Sequence, residues 1–267
     1  VGLYKMKNLY VNGCSFTAGD IIEDGFTWPE LLAKKMNLDL NCRAVNGSSM
    51  DTIFYNTINH LQHFDSKDTY VVIGITWPER FGVFFDKTMV NITPGDLDNT
   101  LWQSKISTWR RLSGPTLYSQ EQEELDDYAD ETIDTELATI NDSKDWMIVM
   151  DKFVEYYKAS IKYDKQQHQQ QSKWIKLITQ VLALDSYLTD NGFEHCFVGW
   201  RLFESIPNNK KNWPHIQNHL VPKLKKLNII DFEERFDGFW VNGIQNHHPN
   251  KREHKEISER IYDSINR

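Results

Sequence analysis

The chain has 267 residues, 40% of them hydrophobic and 25% charged, and a formal net charge of −8 at pH 7. This composition is typical of a soluble globular protein and predicts one large domain, or one domain that carries an insertion. There is no basic stripe for nucleic acid, no apolar run long enough to span a membrane and no apolar leader segment. We therefore expect neither a nucleic-acid nor a membrane partner. Cys14, Cys42 and Cys196 have no paired spacing, which favours a reducing compartment.

Strands and helices alternate in the first third of the chain. The predicted elements are strand Lys7–Val11, helix Trp28–Met36 with start signals at Thr27 and Pro29, strand Leu38–Val45, helix Met50–Phe64 and strand Tyr70–Ile75. This alternation predicts a three-layer α/β/α sandwich around a mostly parallel central sheet. Active residues are then expected at the carboxyl ends of the strands.

The pattern changes after Arg80. Phe81–Phe85 and Thr88–Thr93 predict a β-hairpin arm, and inserted helices follow, including Thr100–Leu112 and Trp146–Tyr163. We thus expect a single domain over 1–267 with an inserted hairpin and helical subdomain at about 81–170. Aromatic residues of the insertion either pack a core or line a sugar or acyl pocket. The acidic stretch from Glu121 to Asp145 is either a solvated face or a surface that steers a cationic partner.

The last third returns to the alternating pattern. The predicted elements are helix Ser172–Asn191, strands His195–Trp200 and Asn228–Phe232, and the closing helix Lys251–Ile265. His215 and His219 have helical i,i+4 spacing, but Gln217 stands between them where a zinc hydrolase has Glu. No metal and no cofactor are expected.

Four polar segments lie at the ends of these elements. In Tyr10–Gly19, Ser15 stands where a strand ends and a helix begins, so its hydroxyl is either a helix cap or an exposed nucleophile beside oxyanion-stabilising N–H groups. His248 precedes the closing helix, and histidine is the side chain best suited to general-base work near neutral pH. The other two segments are Ala44–Asp51 and Tyr70–Arg80.

Together these segments resemble the blocks of the SGNH (GDSL-type) hydrolase family. Gly13-Cys14-Ser15-Phe16-Thr17 resembles the family's Gly-Asp-Ser-x-Thr block, Gly47 stands at the oxyanion glycine, Gly74-Ile75-Thr76-Trp77 aligns with Gly-x-Asn-Asp, and His248-Pro249 matches the end of Asp-x-x-His-Pro. The resemblance implies a flavodoxin-like fold and a serine esterase or deacylase that uses Ser15 and His248. It also implies small acyl esters as substrates, with O-acetyl groups on carbohydrate among them.

The chain departs from the family at three positions. Cys14 replaces Asp, and Thr76 replaces the oxyanion Asn, so the oxyanion would be held by Ser15, Gly47 and Thr76. The residue three before His248 is Gln245 instead of a carboxylate. In place of the usual acid, His248 would be oriented by one of three candidate residues (Gln245, Asn246 and Asp237), or Ser15 and His248 would work as a dyad.

Three further residues are candidates for substrate binding. Trp77 and Arg80 follow a strand end, where Arg80 suits an anionic group. His247 is the third candidate, and it also competes with His248 as the base. We favour His248 because Pro249 follows it. The Thr-x-Pro-Glu-Arg run ending at Arg80 is similar to a phage-encoded subset of the family, which implies a cytoplasmic or virion-associated protein.

Two other functions stay open. The missing acid and the altered oxyanion residue favour a catalytically weak or silent binding module, since a fold does not fix a function. The loop Gly47-Ser48-Ser49 indicates a phosphate-binding protein more weakly, because it lacks the Lys and the spacing of a P-loop. The acyl group, the alcohol and the oligomeric state do not follow from the sequence.

Overall fold

The computed structural model describes residues 6–19, 22, 25–78, 80–85, 88–92, 167–208, 211–233, 236, 239–241, 244–246 and 248–266. The predicted helices Thr100–Leu112 and Trp146–Tyr163, the stretch from Glu121 to Asp145, and the candidate residues Asp237 and His247 lie outside the described residues. The predicted domain boundaries therefore stay a prediction.

Nine strands and seven helices, together with one π-helical turn at Ile216–Leu220, lie in the described residues. The strands are β1 (Asn8–Asn12), β2 (Asp39–Cys42), β3 (Thr69–Gly74), β4 (Phe81–Phe85), β5 (Thr88–Ile92), β6 (Glu194–Trp200), β7 (Ile229–Phe232), β8 (Phe239–Val241) and β9 (Ile244–Asn246). The helices are α1 (Ser15–Ala18), α2 (Trp28–Met36), α3 (Met50–Leu61), α4 (Gln167–Asp190), α5 (Leu202–Ser205), α6 (Val221–Leu224) and α7 (Lys251–Ile265).

A five-stranded sheet in the order β2-β1-β3-β6-β7 lies at the centre, and all of its strand pairs are parallel. This confirms the predicted α/β class, and the order is the flavodoxin-like one. Helices α3 and α4 cover one face of the sheet, while α2 and α7 cover the other. Because β2 and β3 lie on opposite sides of β1, the chain crosses to opposite faces on leaving β1 and β2. A crevice is expected at the carboxyl end of β1.

Side-chain alternation explains how one sheet supplies two cores. Along β1, Leu9 and Val11 are buried on the α2 and α7 side, while Tyr10 between them is buried on the α3 and α4 side. Strands β3 and β6 alternate in the same way, with Val72 and Phe197 on opposite sides. Strands buried on both faces read as nearly continuous apolar runs, which is how they were predicted.

Predicted and observed bounds agree most closely where local capping signals are strong. Helices α2 and α7 have the predicted bounds, and each begins with a capping box, Thr27 with Glu30 and Asn250 with Glu253. The hairpin arm is confirmed as the antiparallel pair β4–β5. The strand predicted as Leu38–Val45 is shorter, because the chain leaves regular β geometry after Cys42. Within the described ranges, no helix combines the length and the apolar character needed to cross a membrane.

Candidate active site

Ser15 lies at the corner between β1 and α1. Cys14 takes the N-cap position with extended backbone and no side-chain capping bond, so Ser15 is the first helical residue and not the cap. Its Oγ lies 2.7 Å from Nε2 of His248, a hydrogen-bond distance. The capping explanation therefore does not account for Ser15, whose hydroxyl is engaged by an imidazole from the other end of the chain.

Asn12 fixes the end of β1 from which this corner departs. Its side-chain Nδ2 donates to the carbonyl of Ile53 at 3.2 Å and to Oγ1 of Thr57 at 3.0 Å. Its Oδ1 accepts from the backbone N–H of Gly13 at 2.8 Å. Asn12 is buried, and these bonds join the end of β1 to the middle of α3. The nucleophile corner is thereby anchored to a helix on one face of the sheet.

The Thr17 side chain explains why Gly13 and Gly74, two positions that match the family's blocks, are glycines. A Cβ on Gly74 would lie 2.5 Å from Oγ1 of Thr17, and a Cβ on Gly13 would clash with the same atom. The Thr17 side chain thus fills the space between the ends of β1 and β3, which only two glycines leave open. Its buried hydroxyl has no hydrogen-bond partner in the described part of the chain.

His248 is held by the start of α7. Asn250 is the N-cap of this helix: its side chain accepts from Glu253 N at 3.1 Å, and the Glu253 carboxylate accepts from Asn250 N at 2.8 Å. Pro249 is buried between His248 and this cap. The imidazole ring packs against the ring of Phe16, with centroids 4.9 Å apart. The residue that follows the nucleophile therefore also supports the base.

Trp28 and His254 connect the segment that carries Ser15 to the helix that follows His248. The indole N–H of Trp28 donates to the carbonyl of Phe16 at 3.1 Å, and its backbone N–H donates to Nδ1 of His254 at 2.9 Å. Both residues are fully buried. One tryptophan at the start of α2 therefore joins α1, which carries Ser15, to α7, which follows His248 in the chain.

The His254 ring is uncharged in the folded protein near neutral pH. Burial lowers its pKa to about 4, His248 nearby also lowers it, and Glu30 acts in the opposite direction. Because Nδ1 accepts from Trp28, the proton of the neutral ring lies on Nε2, which is buried without a partner among the described residues.

The segment after β2 runs beside the nucleophile corner. Arg43 N donates to Val11 O at 2.7 Å and Val45 N donates to Gly13 O at 3.2 Å, so the chain follows β1 beyond the regular strand. Gly47 then turns with a φ of +72°, a left-handed conformation that favours glycine. The Gly47 loop therefore leaves the sheet on the β2 side of the corner.

Thr76 and Arg80 lie on the opposite, β3 side. A Cβ on Gly74 would be 3.5 Å from Cα of Gly13, so the two glycines are neighbours, and Thr76 follows Gly74 by as many residues as Ser15 follows Gly13. Thr76 is buried, and its Oγ1 accepts from Nη1 of Arg80 at 3.3 Å. Trp77 packs on the apolar cluster that also contacts Phe16.

Asp51, in the first turn of α3, connects this side to the hairpin arm and to α4. Its carboxylate accepts from the backbone N–H of Gly82 at 3.0 Å, from Nζ of Lys176 at 2.8 Å and from Nε2 of Gln180 at 2.7 Å. The start of the hairpin is thus bound to the helix that follows the Gly47 loop.

The structure brings together some of the predicted residues and leaves others undescribed. Ser15 and His248 are in contact, and Thr76 contacts Arg80. Gln245 and Asn246 lie in β9, paired with Trp240 and Phe239, but their side chains are not described. The orienting residue of His248 therefore stays a prediction. The exposed rings of His215 and His219 lie 5.4 Å apart, and the described residues hold no group of three potential metal ligands.

Trp28, His254 and Asp51 were not predicted to support the site. A signal existed for His254, because it shares the apolar i, i+3, i+7 face of α7 with Ile257 and Ile261. That pattern indicates a buried ring, although not which atom it contacts. Trp28 and Asp51 act through partners distant in the sequence, and no local pattern identifies them.

Comparisons with known proteins complete this picture. No family model and no curated protein matches the chain. Among solved structures it is similar to a member of the lipolytic G-D-S-L family from Veillonella parvula, with a TM-score of 0.43, 10% identity and coverage of 98% of this chain and 99% of that one. It is also similar to the psychrotrophic esterase EstA from Pseudoalteromonas sp., with a TM-score of 0.44, 12% identity and 97% coverage of each chain. A third is the lipase Lip_vut3 from a goat rumen metagenome, with a TM-score of 0.46, 13% identity and 97% coverage of each chain. All three TM-scores fall below 0.5, so the chain's own residues carry the functional proposal.

Proposed function

We propose that this chain is a serine hydrolase that cleaves small acyl esters, with Ser15 as nucleophile and His248 as general base. The observation that carries the proposal is the 2.7 Å contact between Ser15 Oγ and His248 Nε2 at the carboxyl end of β1. A hydroxyl on an imidazole nitrogen, at the carboxyl end of a strand in a parallel sheet, is the arrangement that activates a serine for acyl transfer.

The reaction proceeds in two halves. Nε2 of His248 takes the hydroxyl proton as Ser15 Oγ bonds to the ester carbon, and the carbonyl π pair moves onto oxygen. The carbon–oxygen bond to the alcohol then breaks, and His248 returns the proton to the leaving alcohol. In the second half, water replaces Ser15 by the same steps and releases the acid.

The oxyanion is held by the backbone N–H groups of Ser15 and Gly47, with the hydroxyl of Thr76 as third donor. One of Gln245, Asn246 and Asp237 orients the His248 ring, or the pair works as a dyad.

Substrate contacts are proposed on both sides of the corner. Trp77, Arg80 and His247 bind the substrate, and Arg80 suits a substrate with an anionic group. O-acetyl groups on carbohydrate are the substrate class that the family resemblance favours, and the run ending at Arg80 favours a phage-type member.

Labelling with a fluorophosphonate tests the nucleophile, because such probes bond only to an activated hydroxyl. The modified residue is located by mass spectrometry in the parent protein, Ser15→Ala and His248→Ala. We expect one label on Ser15, lost in both variants. Ser186→Ala, which alters an exposed serine on α4, is the matched control and keeps the label. Full hydrolytic activity in Ser15→Ala would overturn the proposal.

A second candidate is a binding module that has kept the fold without the chemistry. Thr76 in place of the oxyanion Asn, and Gln245 in place of the acid, favour it. Such a module would bind a glycan equally well in the parent and in Ser15→Ala, and the folded parent would take no label. Equilibrium binding to acetylated and deacetylated polysaccharide, measured beside the labelling, separates the two functions.

A further inference from the structure

We propose that Thr76 and Arg80 act as one unit, in which Arg80 orients and polarises the Thr76 hydroxyl so that it donates to the oxyanion. This inference rests on the proposed function. In it Thr76 is the catalytic residue, and Arg80 is a positioning residue that acts through it.

The direction of the Thr76 proton follows from hydrogen-bond chemistry. A threonine hydroxyl has one hydrogen to give and lone pairs to receive. The guanidinium has only donors, so in the 3.3 Å contact Arg80 Nη1 donates and Thr76 Oγ1 accepts. The single hydrogen of Thr76 is therefore left for another acceptor. An asparagine amide needs no such help, because it donates without a partner that fixes its orientation.

The charge of Arg80 adds to this effect. A hydroxyl that accepts from a cation becomes a better donor, since hydrogen bonds in a chain polarise one another. Thr76 is 4% exposed and Arg80 is partly buried, so solvent screens the contact weakly. No carboxylate among the described residues pairs with Arg80. Its charge therefore acts on the Thr76 hydroxyl, and through that hydroxyl on the negative charge that develops on the β3 side of Ser15.

Asp51 holds Arg80 in this place. The backbone N–H of Gly82, two residues after Arg80, donates to the Asp51 carboxylate at 3.0 Å. The backbone N–H of Arg80 itself donates to Trp77 O at 3.2 Å, which closes a turn directly after Thr76. The guanidinium therefore projects from a segment that is fixed at both ends.

The proposed step balances within the reaction already described. As Ser15 Oγ bonds to the ester carbon, the carbonyl oxygen gains the π pair and a negative charge. The Thr76 O–H donates a hydrogen bond to that oxygen without transferring its proton. When the alcohol leaves, the carbonyl re-forms and the hydrogen bond weakens. No net proton or electron passes through Arg80.

A double-mutant cycle tests the coupling. The readouts are kcat and KM for p-nitrophenyl acetate, together with the rate of Ser15 labelling by the fluorophosphonate, whose phosphoryl oxygen takes the oxyanion position. We expect Thr76→Val to lower kcat about 10²-fold, as the loss of one oxyanion donor does. Arg80→Gln should lower kcat about 10- to 100-fold, as the loss of a charged hydrogen bond does, with KM little changed. The double variant should be no slower than Thr76→Val alone.

Two further variants separate a catalytic effect from a structural one. In the Arg80→Gln background, Thr76→Asn should recover about 10-fold in kcat, because an amide donates without the guanidinium. Arg80→Lys should keep part of the rate by retaining the charge, while Arg252→Gln, which alters an exposed arginine on α7, should change neither constant. Melting temperatures confirm that each variant is folded.

The possible results distinguish this inference from the function on which it rests. Multiplying effects of Thr76→Val and Arg80→Gln, or an Arg80→Gln change confined to KM, would overturn the inference while Ser15 labelling still supports the hydrolase. Absence of labelling in the folded parent would overturn both. Coupled effects on kcat, with recovery by Thr76→Asn, would establish the pair.

Discussion

Replacing His254 with a side chain that does not titrate should change how the unfolding free energy of the protein depends on pH. Its ordinary pKa of 6.5 falls to about 4 in the folded protein, mainly because the ring is buried. Between these values the unfolded chain binds a proton that the folded protein does not, so stability falls as the pH falls through this window. The difference corresponds to about 3 kcal/mol in full and about 2 kcal/mol at pH 5.

His254→Asn is the informative variant. The Asn Oδ1 takes the place of Nδ1 and still accepts from the backbone N–H of Trp28, while the side chain no longer titrates. At pH 7.5 the smaller side chain should cost about 1–2 kcal/mol of unfolding free energy, because it leaves a space in the core. At pH 5 that deficit should shrink by about 2 kcal/mol, so that the variant equals or exceeds the parent.

Urea unfolding followed by tryptophan fluorescence measures both proteins at several pH values between 7.5 and 5. Carboxylates also titrate in this range, but they do so alike in the two proteins and cancel in the difference. His219→Asn, which makes the same substitution at an exposed ring outside the core, is measured beside it as the control. A deficit in His254→Asn that stays the same from pH 7.5 to pH 5 would refute the reasoning that burial keeps this ring uncharged.

Three other changes probe the supports of the site. Gly74→Ala should lower the unfolding free energy by about 1–3 kcal/mol, because the added methyl group overpacks the space that Thr17 fills. In a Thr17→Ala background the same change should be nearly neutral. Chemical denaturation of the parent, the two single variants and the double variant checks both expectations. Asp51→Ala should lower the unfolding free energy by about 2 kcal/mol, because a backbone N–H and two side chains lose their hydrogen-bond acceptor. Lys176→Met removes only the ion pair of Asp51 and should lower it by under about 1 kcal/mol. Equal losses in the two variants would contradict this ranking. Trp28→Phe, which deletes the indole hydrogen bond, should lower both the melting temperature and the Ser15 labelling rate, and an unchanged rate would show that this bond does not position the corner.

Short-range chemistry made parts of the fold predictable. The starts of α2 and α7 follow from side chains within three residues of each helix start, where capping boxes act. The buried strands follow from apolar runs bounded by turn residues. One local signal was missed: the pair Asn242-Gly243 is a strong sequence signal for a hairpin, and it stands between the antiparallel strands β8 and β9.

Long-range contacts were predictable only in part. Ser15 and His248 are 233 residues apart in the sequence, and the expectation that they meet came from a family resemblance and not from periodicity. Trp28 and His254 are 226 residues apart, and neither belongs to a motif. Local patterns fix which face of an element is buried, but which buried atoms meet depends on how whole elements pack.

The residues that match the family's blocks differ in what they indicate about function. Gly13, Thr17 and Gly74 form one packing unit between β1 and β3, and a binding module with this fold would need them as much as an enzyme does. The contact between Ser15 and His248 has no such structural explanation, because Cys14 already takes the cap position and a buried hydroxyl finds simpler acceptors in backbone carbonyls. The choice between hydrolase and binding module therefore depends on Ser15 and His248, and labelling at Ser15 decides it more directly than any match of motifs.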